Sequence, residues 1–277
     1  MSANDTETNT PPFGQRFLRG LMSILGMLLF PLGRFGRVGG EESSTEDRLQ
    51  NGLIVVLPGI ECRSFLNRSL VRGLIEGGVQ SAVEIWDWTT GLLILFPLHL
   101  RLAWYHRRIA NRFAKRISDY QKQYPGRPVQ LVGHSGGGGM ALFILEALPE
   151  SRTVTSAILL GPAVSPYYDT RPAQQRTQHG IRNYYSLLDI GFLGISTIVL
   201  GTMDGWHWPS AGMIGFQENR DDQAVSTENS SSAAPLNQHA FRPAMFRQYN
   251  FGGHFGWTNR VFAAETLAPI FQRNERA

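Results

Sequence analysis

The sequence predicts an α/β protein, a mostly parallel central sheet with helices on both faces. Three observations carry this. Short β-branched or apolar runs recur and stop at Pro or Gly, as 53–57 (LIVVL) stops at Pro58-Gly59. Segments with apolar residues at helical spacing stand between those runs. Glycine is abundant, with 30 residues, which suits the many tight turns of such a chain.

The elements follow in order. After the first strand, 65–76 carries Phe65, Leu66, Leu70 and Leu74 at helical spacing and stops at Gly77-Gly78. Residues 82–86 read as a second strand. A long connection holds an apolar stretch, 92–98, and leads to an amphipathic helix over 101–122. Leu102, Tyr105, Ile109, Phe113, Ile117 and Tyr120 form its apolar stripe. Its arginines and lysines lie largely on the other side, as on a solvated helix face. Residues 129–132 are a third strand. The segment 136–148 is apolar nearly all round, so it reads as a buried helix. Strands are expected at 157–160 and 182–186, and a last short one at 245–249. A closing helix over 257–271 turns Val261, Phe262, Leu267 and Ile270 inward. Only right-handed crossovers need be considered between these strands.

The ends and the insertion break this rhythm. Residues 1–15 are polar and Thr/Asn-rich, the composition of a disordered tail. An apolar run, 21–32, is flanked by Arg16, Arg19, Arg34 and Arg37. It is shorter than the ~20 apolar residues of a spanning helix, and Pro31 breaks it. Two readings stay open for 16–38: contact with a membrane surface, or a helix packed on an exposed flank. A polar, acidic stretch, 41–50, reads as a linker. The expected organisation is thus an N-terminal region, 1–50, and a domain, 51–277, with an insertion at about 190–240. The end of that insertion, 217–240, has the composition of a mobile loop.

The bulk numbers fit this and exclude other classes. At 277 residues, 42% hydrophobic and 17% charged, the chain can bury a sizeable core. The net charge of +4 is mild and diffuse, and no RNA- or DNA-binding module is visible, so nucleic acid is not an expected partner. Cys62 is the one cysteine, so no internal disulfide exists and no zinc-type Cys/His spacing appears. A cytoplasmic or membrane-associated location is favoured. Nothing in the sequence fixes the oligomeric state.

The strongest chemical signal is VQLVGHSGG at 129–137. Gly133, Ser135 and Gly137 form G-x-S-x-G, with His134 inside it. A strand before and a buried helix after are the context that a nucleophile elbow requires. Such a serine sits on a strained strand-to-helix turn, and the helix N-terminus beyond it favours a developing oxyanion. On these residues the chain resembles the α/β-hydrolase superfamily over roughly 50–272. That resemblance implies a serine hydrolase with an acyl-enzyme step, an ester substrate of small-molecule or lipid-like kind, and no metal or organic cofactor.

The resemblance also assigns roles. Ser135 is the expected nucleophile. The oxyanion hole falls to the backbone amides of Gly136 and Ile60, the latter in Pro58-Gly59-Ile60, where the family commonly has His-Gly-x. His254, framed in Gly252-Gly253-His254-Phe255-Gly256, is the expected base. The acid is expected between serine and histidine. Asp189 is favoured, Asp204 is the alternative, and Asp169 comes third. Trp206, Trp208, Met213 and Phe216 are candidates to line an acyl pocket or simply to pack the insertion. His99, His106, His179, His207 and His239 are read as structural or solvated. Amide or thioester cleavage on the same residues, and a non-catalytic binding or membrane-associated scaffold, are the competing functions.

Overall fold

The computed structural model describes residues 12–29, 43–92, 95–217 and 234–275. Among them one parallel sheet runs through β1 (Leu53–Leu57), β2 (Ala82–Ile85), β3 (Val129–His134), β4 (Ser156–Leu160), β5 (Ile181–Tyr185) and β6 (Leu236–Ala240). Its order is β2-β1-β3-β4-β5-β6. The period of two along the strands divides the core. Val55, Leu57, Leu131 and Leu159 face one layer; Ile54, Val56, Val132 and Ile158 face the other. Both faces of the central strands are buried, which is why they read as unbroken apolar runs rather than alternating ones.

The helices are α1 (Phe13–Leu28), α2 (Glu46–Asn51), α3 (Phe65–Glu76), α4 (Phe96–Arg101), α5 (Ala103–Gln123) and α6 (Gly136–Glu146), followed by shorter pieces and a closing helical run, 260–275. On one face α6 lies against the sheet and α5 covers it, so α6 is apolar all round. On the other face Leu70 and Leu74 of α3 meet Phe262 and Phe271 of the closing run. This split follows from handedness. The chain steps from β1 to β2 in one direction and from β3 to β4 in the other. Right-handed crossovers then place α3 and α6 on opposite faces. The direction reverses between β1 and β3, which are neighbours in register Leu57↔Gly133. The carboxyl ends of these two strands therefore flank the topological switch point, where such sheets form their crevice.

Several expectations need correction. The last strand is Leu236–Ala240, not 245–249. It is an edge strand, half-buried to exposed throughout, so its polar residues offer no apolar run to read. Pro243 instead starts a 3-10 turn, Pro243–Gln248. The stretch 41–50 is not all linker. Glu46–Asn51 is helical, with Glu46 and Asp47 in the first turn where they suit the helix dipole. Helix α1 begins at Phe13, inside the stretch expected to be disordered. The rest of that tail (1–11), residues 30–42 and 218–233 of the insertion lie outside the described residues.

Candidate active site

Ser135 stands between β3 and α6 with φ 55 and ψ −121. Positive φ at a residue with a side chain costs of order 1–3 kcal/mol and persists only where the surroundings impose it. Here they do. Ser135 N–H donates to the Leu160 carbonyl at 3.0 Å, and its own carbonyl accepts from Gly138 and Ala163 at 3.0 and 3.1 Å. The flanking glycines are required by contact rather than by φ. A Cβ on Gly133 would strike the Gly137 carbonyl. One on Gly137 would strike the carbonyls of Leu57 and Pro58. G-x-S-x-G thus lets α6 approach the ends of both central strands.

His254 lies in the loop after β6. Its Nδ1–H donates to Asp189 Oδ2 at 2.6 Å, and both side chains are buried, 6% and 1% exposed. Asp189 follows β5 and caps the helical turn Ile190–Ser196, where its Oδ1 also accepts from Leu193 N–H at 3.3 Å. The ring of Phe192, from that same turn, stacks on His254 with centroids 4.7 Å apart and planes 16° apart. The imidazole is therefore held by an acid at one nitrogen and an aromatic face on one side. Its Nε2 makes no hydrogen bond among the described residues.

His134 ties this loop to the serine turn. Its Nε2–H donates to the His254 carbonyl at 3.0 Å, and the two rings are 4.8 Å apart. Its Nδ1 lies 3.7 Å from Glu61 Oε1, an ion-pair distance rather than a hydrogen bond. Burial opposes charge on His134, but Glu61 and the His254 carbonyl outweigh it, so its pKa is raised above the ordinary value.

The loop after β1 completes the site. Gly136 is the first residue of α6, so its N–H has no intrahelical acceptor. A Cβ on Gly136 would lie 3.0 Å from the side chains of Ile60 and Trp88, which places Ile60 beside the elbow. Nothing among the described residues accepts from Ile60 N–H. The loop is braced from below. Trp88 Nε1–H donates to the Pro58 carbonyl at 2.6 Å. Thr90 N–H donates to His99 Nε2 at 3.1 Å, which leaves the proton of His99 on Nδ1, facing the Ile60 carbonyl at 3.4 Å. Burial lowers the His99 pKa and keeps it neutral for that role. Sequence reasoning missed Trp88, His99 and Glu61 as parts of this site. Only Glu61 carried a signal, its place one residue beyond Ile60.

The rival acids are engaged elsewhere. Asp204 Oδ1 accepts from Ser165 N–H at 2.9 Å and from the Thr202 hydroxyl at 2.6 Å. Asp169 pairs bidentately with Arg171. Of the four pocket candidates, Phe216 is buried and Met213 packs on the core, whereas Trp206 and Trp208 are exposed. His106 is buried against Trp88, His207 bonds through Nδ1 to the Ile198 carbonyl, and His239 stacks on Tyr184.

No protein-family model matches the chain, and no curated protein matches it by sequence. Solved structures similar to it include the Pyrobaculum calidifontis esterase, at 11% identity over 97% of this chain and 94% of that one, TM-score 0.45. Aspergillus fumigatus lipase B is similar at 11% identity over 84% of this chain and 55% of that one, TM-score 0.49. The esterase domain of a Rhodothermus marinus protein is similar at 16% identity over 80% and 87%, TM-score 0.42. The assignment rests instead on the chain's own features: the parallel order β2-β1-β3-β4-β5-β6, helices on both faces, and a positive-φ serine turn between β3 and α6. These features together are those of the α/β-hydrolase fold.

Proposed function

We propose that the chain is a serine hydrolase that cleaves a carboxylic ester with Ser135 as nucleophile, His254 as base and Asp189 as its acid. The observation that carries this reading is the buried 2.6 Å bond between His254 Nδ1 and Asp189. In the neutral imidazole it holds the proton on Nδ1 and leaves Nε2 to accept, the form a general base needs, in a ring 4.8 Å from that of the residue preceding Ser135.

The steps follow. Ser135 Oγ attacks the ester carbonyl carbon while its proton passes to His254 Nε2. The carbonyl oxygen becomes an oxyanion, which the N–H groups of Gly136 and Ile60 stabilise. The C–O bond to the alcohol breaks, His254 returns the proton to the leaving oxygen, and an acyl-serine remains. Water, deprotonated by His254, attacks the acyl carbon and releases the acid. Asp189 stays ionised and stabilises the transient imidazolium.

Intact-mass labelling with a fluorophosphonate tests this. One adduct on the wild-type chain, mapped to Ser135 and lost in Ser135→Ala, is the expected result. A folded wild-type chain that takes no adduct, or an adduct that survives Ser135→Ala, defeats the proposal. On any ester that turns over, Ser135→Ala is expected to lose at least ~10³-fold in rate.

A further inference from the structure

Helix α1 is amphipathic the wrong way round for a helix packed on a protein. Small and charged residues face inward, with Ile24 and Met27 half-buried among them. Gly20 lies against the Tyr249 ring, and Ser23 Oγ shares a 2.5 Å hydrogen bond with Ser69 and accepts from Arg260 N–H. Arg16 pairs with Glu265 at 2.5 Å and Arg19 with Glu76 at 3.4 Å. The large apolar residues face outward: Phe13, Phe17, Leu18, Met22, Leu25 and Leu28 are between 43% and 79% exposed. A helix that serves only to cover a flank buries its apolar face. Contiguous exposed apolar surface of this kind marks an interaction site.

Exposed apolar side chains also stand between α1 and the loop that carries His254. The Tyr249 ring touches α1 at Gly20; close by in the chain, Phe246 and Phe251 have ring centroids 5.8 Å apart. Leu188 lies against Gly252, two residues from His254. Beyond Leu188 the turn that carries Phe192 exposes Ile190, Ile195 and, just after it, Val199, each more than half.

We propose that the outward face of α1 and this apolar rim together dock on the surface of a phospholipid bilayer bearing anionic headgroups. Three features favour a bilayer over a folded protein. The apolar side chains project from two elements distant in the chain, and a deformable acyl layer accepts them without a complementary shape. The 16-residue helix is too short to span, and among the described residues no helix is long and apolar enough to cross a membrane, so a helix lying in the interface is the geometry that fits. The charge beside it is positive. Arg72 and Arg247 are exposed, while the neighbouring Glu76 and Glu265 are taken up by Arg260, Arg19 and Arg16.

The test uses the full chain carrying Ser135→Ala, so its outcome is independent of any hydrolysis. Flotation with vesicles of phosphatidylcholine, with and without phosphatidylglycerol, measures partitioning. The Ser135→Ala chain is expected to float, more strongly with phosphatidylglycerol. Adding Leu18→Asp with Met22→Asp, or Ile195→Asp with Val199→Asp, is expected to cut the partition coefficient at least about tenfold. These positions are exposed, so thermal unfolding of both pairs should match the parent. Should either pair fail to fold, quenching by phosphatidylcholine brominated in its acyl chains decides on the parent chain, read on the exposed Trp206 and Trp208, which flank the His207 bonded to the Ile198 carbonyl beside Val199. Quenching supports docking, and its absence overturns it. The proposal also fails if the parent does not float, or if either folded pair floats as well as the parent. It fails equally if the parent is a dimer that Leu18→Asp with Met22→Asp makes monomeric, because a second copy then covers the face.

Discussion

Replacing Asp189 by Asn separates the chemistry from the fold. Asp189 Oδ2 receives the His254 Nδ1 proton at 2.6 Å, and the pair is almost wholly buried. Asn is nearly isosteric, but its amide group donates where the carboxylate accepts. Facing Nδ1 with an N–H moves the imidazole proton to Nε2, the nitrogen that must accept from Ser135. The transient imidazolium also loses its counter-ion in a buried site. In well-studied triads of this kind the same change costs about 10⁴ in turnover, which at 1.36 kcal/mol per tenfold is about 5 kcal/mol of barrier. The fold should suffer far less. The other carboxylate oxygen caps Leu193 N–H at 3.3 Å, and the Asn carbonyl oxygen can do the same. A stability loss within about 1 kcal/mol is therefore expected, or a few degrees in Tm for a domain of this size. The assay is hydrolysis of a short-chain p-nitrophenyl ester alongside thermal unfolding, with Asp204→Asn as comparator. Asp204 bonds to Ser165 and Thr202 and not to His254, so its variant should stay within a few-fold of wild type. The reasoning is refuted if folded Asp189→Asn keeps more than a tenth of the wild-type rate, or if Asp204→Asn falls as far.

Further predictions concern the frame of the site. Gly137→Ala drives a Cβ into the Leu57 and Pro58 carbonyls, and should cost at least about 2 kcal/mol, read as a Tm lowered by roughly 5 °C. An unchanged Tm would show that α6 does not need that close approach. Trp88→Ala removes a fully buried indole and its bond to the Pro58 carbonyl, with an expected loss of about 3–5 kcal/mol in denaturant unfolding. His134 gives a pH signature. Its folded pKa lies above the ordinary 6.5, so the protonated form stabilises the fold. That contribution is complete below about pH 6.5 and is lost as pH rises through the raised value. Tm should fall across that window in the wild type, and Glu61→Gln should flatten the fall; an equal slope in both chains would remove Glu61 from the account.

The sequence was informative where one local rule decides the structure. The run LIVVL is apolar at every position because β1 is covered on both faces, so a central strand announces itself without any knowledge of its neighbours. The serine turn is legible for a similar reason: Gly133 and Gly137 are set by contacts that the strand–turn–helix geometry itself creates. The strand Leu236–Ala240 was not legible, because an edge strand that is half-exposed needs no apolar pattern, and the more apolar 245–249 attracted the assignment instead. Chain order alone left Asp189, Asp204 and Asp169 open as partners for His254. Which carboxylate meets the imidazole depends on how the turn after β5 folds against the loop after β6, segments 65 residues apart in the chain. The brace of Trp88 and His99 under the loop at Ile60 is likewise a product of packing between distant segments. The direction in which α1 shows its apolar face had the same origin. The sequence of α1 specifies a helix with one apolar side. Gly20, Ser23 and the arginine pairs, meeting Tyr249, Ser69, Glu265 and Glu76 in the folded chain, turn that side to the outside.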